Sequence, residues 1–107
     1  MFVFSFPVWV LIRVPTYKTH GLPDGVARVN AGRFGVPLFT FTDDHLADQF
    51  VLNYGDPDFG KAEQNETQYR QILNEAKARG TTHVGIDCAA NGGGRYHPID
   101  DIINAIP

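Results

Sequence analysis

The sequence predicts an α+β domain. Its expected architecture is a mostly antiparallel three- to four-stranded sheet packed against about three helices, in the order β-β-β-α-α-β-α. Three stretches carry this reading. Val8 to Val14, VWVLIRV, is rich in β-branched and aromatic residues and is bracketed by Pro7 and Pro15. Val36 to Tyr54, VPLFTFTDDHLADQFVLNY, reads as a buried strand that runs straight into a capped helix. Glu63 to Arg79 is mostly polar, with Tyr69, Ile72, Leu73 and Ala76 at helical spacing. At 107 residues, the whole span 1–107 is expected to be one compact domain with a single core.

The apolar start, MFVFSFPVWVLI, superficially resembles a signal-peptide core. No positive residue precedes it, Pro7 interrupts it, and no small-residue cleavage site follows. It is also too short to span a bilayer. It is read as a core strand, and the expected location is cytoplasmic. Val8, Val10, Ile12 and Val14 share one face of that strand; Trp9, Leu11 and Arg13 share the other. Phe2, Phe4 and Phe6 either extend it or form an exposed patch that pairs with another chain.

Thr16 to Gly25 is expected to be a polar loop with the Asp24-Gly25 turn pair, and Val26 to Asn30 a short strand. A turn ending at Gly35 leads into the central strand, which makes an antiparallel meander. In that strand Val36, Leu38, Thr40 and Thr42 face one way and Pro37, Phe39 and Phe41 the other. Thr42 is the expected N-cap of the next helix, with Asp43 and Asp44 complementing its dipole. Leu46, Phe50 and Tyr54, with Val51, form its expected stripe, and Gly55 closes it. Capping accounts for the aspartate pair without a metal or acid–base role.

Gly55 to Gly60 is a turn-forming linker, and a helix follows from about Glu63 to Arg79, closed by Gly80. Glu75 and Arg79 are spaced i,i+4 as a supporting pair. Thr81 to Cys88 is the last expected strand, with Val84, Ile86 and Cys88 on one side. Ala89 to His97 is a glycine-rich loop. Pro98 then opens a short helix with Ile99, Ile102, Ile103 and Ile106 in its stripe.

The chemistry-bearing residues are sparse. Net charge is −3 with no basic block, so no nucleic-acid partner is expected. Cys88 is the only cysteine, which rules out an intrachain disulfide. A thiol–imidazole pair of Cys88 with His83 or His97 is weighed against a packing role, which a cysteine in line with Val84 and Ile86 fits better. His20, His45, His83 and His97 lack the short spacings of a zinc site. No catalytic residue, metal site, cofactor or membrane partner is expected. Trp9, Phe39, Phe41 and Tyr69 are candidates for a hydrophobic groove, with core packing as the simpler role.

One loop is a candidate binding site. Asn91, Gly92, Gly93 and Gly94 offer backbone N–H groups to an anion, with Arg95 adding charge. The run matches no phosphate-binding motif, and Asp100 and Asp101 lie just beyond it. The competing role is a connection that uses positive φ.

VWVLIRVP, PLFTFTDDHLADQF, the polar second helix and VGIDCAANGGGRYHPIDDI together resemble the SseB family amino-terminal domain. The likeness covers nearly the whole chain, and Pro37-Leu38-Phe39-Thr40 with the Asp43-to-Phe50 helix is its most distinctive piece. Phe41 and Thr42 follow that motif here, and the last loop is richer in glycine than the family pattern. The resemblance implies a small bacterial α+β domain, in a family linked with serine sensitivity and secretion-associated functions and without an agreed catalytic mechanism. It carries over no active-site residues. The expected function is therefore a non-catalytic interaction or regulatory domain that binds a protein partner or self-associates as a homo-oligomer. The alternative is a small anionic ligand bound by Asn91–Arg95.

Overall fold

The structure is a computed structural model that describes residues 4–106. Its elements, in chain order, are β1 (Val8–Arg13), α1 (Val14–His20), a 3-10 turn (Gly32–Phe34), β2 (Leu38–Phe41), α2 (Asp44–Tyr54), β3 (Phe59–Gln64), α3 (Glu66–Ala78), β4 (His83–Ile86), β5 (Arg95–Pro98) and α4 (Ile99–Ala105). The strands form a five-stranded sheet in the order β3-β1-β2-β4-β5. β1 is antiparallel to both β2 and β3, and β5 to β4, but β2 and β4 run parallel. The α+β class holds and three of the four strand pairings are antiparallel, but the sheet is mixed, and among the described residues it has five strands and four helices in place of three to four strands and about three helices.

The differences have local causes. Pro15, read as a bracket after the first strand, lies in the first turn of α1, where its missing N–H is no loss. The loop expected over Thr16–Gly25 therefore begins as a helix. The strand expected at Val26–Asn30 shrinks to one bridge, Val26 to Ile12. β3 was hidden between a turn-forming linker and a polar run; Phe59, Lys61 and Glu63 alternate on one side of it, and Gly60, Ala62 and Gln64 on the other. α3 consequently starts at Glu66, behind a reciprocal capping box between Asn65 and Gln68. β5 occupies the end of what reads as a glycine loop.

Side-chain alternation sorts the core into two layers. Val8, Val10, Ile12, Leu38, Ala62, Val84 and Ile86 meet Tyr69, Ile72, Leu73 and Ala76 of α3, together with Ile99, Ile102 and Ile106 around α4. On the opposite face Leu11, Phe39, Phe41 and Phe59 meet Ala47 and Phe50 of α2, and Cys88 joins them. The expected α3 stripe is wholly buried. In α2 the stripe is rotated: Ala47 is buried, whereas Leu46 is 37% exposed and Tyr54 41%. Arg79 does not pair with Glu75. It reaches Asp24 at 2.5 Å, and Glu75 accepts from Gln71.

Phe4 and Phe6 lie against Tyr69, with ring centroids 5.7 and 6.1 Å away. They help to cover the core on the α3 side. Phe2, the remaining member of that expected patch, lies outside the described residues. Lys61, on the α2 side of β3, pairs with Asp44 and with Asp48 one turn further along, which fastens an edge strand to its covering helix. Those carboxylates raise the Lys61 pKa through hydrogen bonds.

Thr40 and Tyr69 form the polar contact between the sheet and α3. Both are fully buried, and their hydroxyls are 2.7 Å apart. Burial raises the Tyr69 pKa, against the opposing effect of the Thr40 bond. Removing one partner strands the other hydroxyl in an apolar layer. Tyr69→Phe is expected to destabilise the fold by about 1–3 kcal/mol, and Tyr69→Phe combined with Thr40→Val by less than the sum of the single changes. Urea unfolding of the four proteins in that cycle measures the coupling, and additive single effects would show that the pair does not interact.

Candidate ligand-binding cleft

The site grows out of the ends of the parallel strands. Asp87 follows β4 with φ 51°, a left-handed backbone that aspartate tolerates better than most residues. Its N–H donates to the Thr40 carbonyl at 2.9 Å, which continues the β2–β4 pairing by one residue. Its carboxylate accepts from the Thr42 N–H at 2.7 Å and from the Thr42 hydroxyl at 2.5 Å. Thr42 is thus engaged across the sheet and does not cap α2. Asp43 is the N-cap, accepting from the His45 N–H at 2.8 Å.

Beyond Asp87 the chain turns back within six residues. Ala89 N–H donates to Gly93 O at 2.7 Å, Gly92 N–H to Ala89 O at 3.0 Å, and Gly93 N–H to the Asn91 side-chain oxygen at 2.9 Å. Two of the glycine donors expected to meet an anion are thereby used inside the loop. The loop also opens into β5, so it does not deliver a ligand directly to the N-terminus of α4. Of the five candidate residues, Asn91 and Gly92 line a cleft, while Gly93, Gly94 and Arg95 are not among its lining residues.

Gly94 has a packing role. A Cβ there would fall 2.7 Å from the Cys88 Cα, and its φ is 144°. Cys88 is buried beneath it, its sulfur 3.8 Å from Ile86 O and 3.7 Å from Arg95 O. Burial pushes its thiol pKa up, against weaker opposing effects of Tyr96 and the Arg95 backbone. The two candidate imidazole partners point elsewhere. His83 bonds the Thr82 hydroxyl, and His97 alternates with Tyr96 onto the opposite face of β5. A raised, buried thiol is the reverse of an activated nucleophile.

The cleft lies between the C-terminal end of α2, the loop before β2 and the 89–92 segment, and its volume is about 190 Å³. Phe39, Phe50, Tyr54 and Tyr96 supply its aromatic lining, and Asn30 and Asn91 its amides. The rings are mutually braced. Phe39 stands edge-on to Tyr96 with centroids 6.3 Å apart, and Tyr54 stacks on Phe59 at 4.9 Å. Phe34 stacks on Tyr96 at 4.3 Å with planes 7° apart. The Tyr96 hydroxyl donates to Gly92 O at 2.9 Å, and its pKa is pushed up to about 12, chiefly by burial. A shallower trough of about 490 Å³ continues outward past Asn53, sharing Tyr54, Ala89, Ala90 and Asn91 with the cleft.

Phe39 is the one residue of the sequence-based groove (Trp9, Phe39, Phe41, Tyr69) that lines the cleft. Asn30, Tyr54 and Tyr96 were missed, because each lay in a segment read as a strand end, a helix stripe or a loop. Among the described residues no three His, Cys, Asp or Glu side chains are placed to hold a metal ion, and no helix is long and apolar enough to cross a membrane. The chain matches no protein-family model and no curated protein, so the likeness to the SseB domains rests on its motifs alone.

Two outcomes follow from this loop. Gly94→Ala is expected to cost about 3 kcal/mol or more, since a methyl must displace backbone as well as adopt a strained φ. Gly92→Ala, with φ 91° and open space around the new methyl, should cost nearer about 1–2 kcal/mol. Chemical denaturation of both variants checks the ranking, and equal losses would refute the close approach to Cys88.

The raised thiol and phenol also set a pH response. Folded Cys88 and Tyr96 hold their protons more tightly than the unfolded chain does. Their contribution is therefore complete below the ordinary thiol value of 9.0, and it is lost as pH rises from there through about 12. The thermal midpoint should fall steadily between about pH 9 and about pH 11, and Cys88→Ala should delay the onset towards the tyrosine range. A level midpoint across that interval would contradict the burial of both groups.

Proposed function

We propose that this protein is a non-catalytic interaction or regulatory domain, and that its recognition surface is the cleft between the end of α2 and the 89–92 segment. The lining of that cleft carries the reading. It is made of aromatic rings, a valine, alanines, backbone and two carboxamides, with no Asp, Glu, His, Lys, Arg or Cys among them. Such a surface recognises by shape, aromatic contact and amide hydrogen bonds. It offers no carboxyl, imidazole, amine or thiol to exchange protons near neutrality, and the Tyr96 phenol is pushed up to about 12. The motifs shared with the SseB domains point the same way.

The alternative, an anion held by Asn91–Arg95, has weaker support because the Gly92 and Gly93 donors are already engaged within the loop. Self-association through a sheet edge is also less favoured than the cleft. β5 is four residues long and ends at Pro98, and β3 carries Lys61 and Glu63, both features that discourage edge pairing.

The test is a library of small fragments and short peptides added to the isotope-labelled protein, with backbone shifts and the ligands' own spectra followed together. Binders are expected to move the amides of residues 50–54, 89–92 and 96, and to be recovered chemically unchanged. Binders that cluster elsewhere would remove the cleft as the recognition surface. Conversion of any library member would overturn the non-catalytic reading.

A further inference from the structure

The dimensions and chemistry of the cleft restrict what it takes; this step rests on its being the recognition surface. A cavity of about 150 Å³ lodges a benzene ring, whereas pockets for larger ligands run from about 300 Å³ upward. At about 190 Å³, the cleft between Tyr54 and Tyr96 has room for one ring system. Its walls favour a planar ring. Phe39, Phe50, Tyr54 and Tyr96 line it, and aromatic side chains pair with another π system in offset or edge-on geometry.

The polar rim adds a direction. The Asn30 side-chain oxygen accepts from the Gly32 N–H at 2.9 Å, and the Asn91 oxygen accepts from the Gly93 N–H at 2.9 Å. Both amides are thus turned the same way: the oxygen is held by the chain, and the NH2 is the end left to meet a ligand. The rim donates, and its complement is an acceptor oxygen. No cationic side chain lines the cleft, so a carboxylate entering it would lose hydration without gaining a counter-charge. The trough past Asn53 lets a substituent leave the ring without a clash.

We propose that the cleft binds a single uncharged planar ring that carries a carbonyl or carboxamide oxygen. The ring is held among Phe39, Phe50, Tyr54 and Tyr96, and the oxygen accepts from the Asn30 and Asn91 amides. This separates the ligand from the small anion suggested by the glycine run alone, since the same Asn91 takes part as a neutral donor.

Three matched probes test it by shift titration of the full chain, at up to about 10 mM because fragments of this size bind weakly. Benzamide has the ring and the neutral acceptor, cyclohexanecarboxamide keeps the acceptor without the π face, and benzoate keeps the ring with a charge. Benzamide is expected to move the amides of residues 54, 89–92 and 96, and to bind at least about tenfold tighter than either of the others. Asn30→Asp with Asn91→Asp keeps both oxygens accepting from the loop and replaces both donors. That variant should retain its spectrum of dispersed amides and lose benzamide binding by about tenfold or more.

Equal binding of cyclohexanecarboxamide would overturn the ring requirement, and equal or tighter binding of benzoate would overturn the neutral acceptor. Unchanged benzamide affinity in the double variant would overturn the role of the two amides. Silence of the cleft towards all three probes, while other fragments shift it, defeats this ligand class and leaves the recognition surface standing. Silence towards every fragment defeats both.

Discussion

The parallel pairing of β2 with β4 is the constraint on which the rest of the fold depends. Parallel neighbours cannot be joined by a tight turn, so the chain must leave the sheet and come back. It does so by laying α2 over one face, adding β3 beside β1 at the far edge, and returning under the other face through α3. Asp87 holds the ends of the pair together, taking both the N–H and the hydroxyl of Thr42. The same lock directs the chain after β4 towards the C-terminal end of α2. The cleft is a consequence of that path, because Asn30, Tyr54 and Asn91, one from each of its three walls, are distant in sequence.

The two core layers are held by different chemistry. On the α3 side aliphatic side chains dominate, and the Thr40–Tyr69 hydroxyl pair fixes which residue of the helix meets which residue of the strand. A buried polar pair of this kind contributes little net stability but penalises any register that leaves a hydroxyl alone. On the α2 side the contacts are aromatic, from Phe41 and Phe50 through Tyr54 to Phe59. Lys61 between Asp44 and Asp48 adds a charged clasp at the exposed edge. It orients α2 over β3 more than it stabilises it, since pairs this open to solvent are screened.

Periodicity made part of this architecture legible in the sequence. The faces of β1 and β2 were readable because each alternates a full apolar set against its neighbour, and α3 because Tyr69, Ile72, Leu73 and Ala76 stand out from a polar background. β3 and β5 were not readable. FGKAEQ is an edge strand whose alternation is carried by Gly60 and Ala62, too small to register as an apolar face, and RYHP is four residues long behind three glycines. The parallel pairing was beyond reach for a different reason, since no local signal tells which of two distant strands will be neighbours. The candidate loop was found by its glycines, yet their conformational freedom serves the turn and the approach to Cys88. The residues that shape the cleft belong to other segments, and only the fold brings them to Asn91.

The cleft and the core share material, and this decides how the cleft can be studied. Phe39 and Phe50 are both almost fully buried and brace the α2 layer while lining the inner wall of the cleft. Truncating either would open a cavity in the core, at a cost of about 3–5 kcal/mol, and binding would be lost for reasons unrelated to recognition. Asn30, Asn91 and Tyr54 are different. All three are exposed, and the two amides are tied only to their own turns. Substitutions at such a rim leave the packing intact, while the aromatic floor is fixed by packing. The rim can therefore be altered without disturbing the core, which the floor cannot.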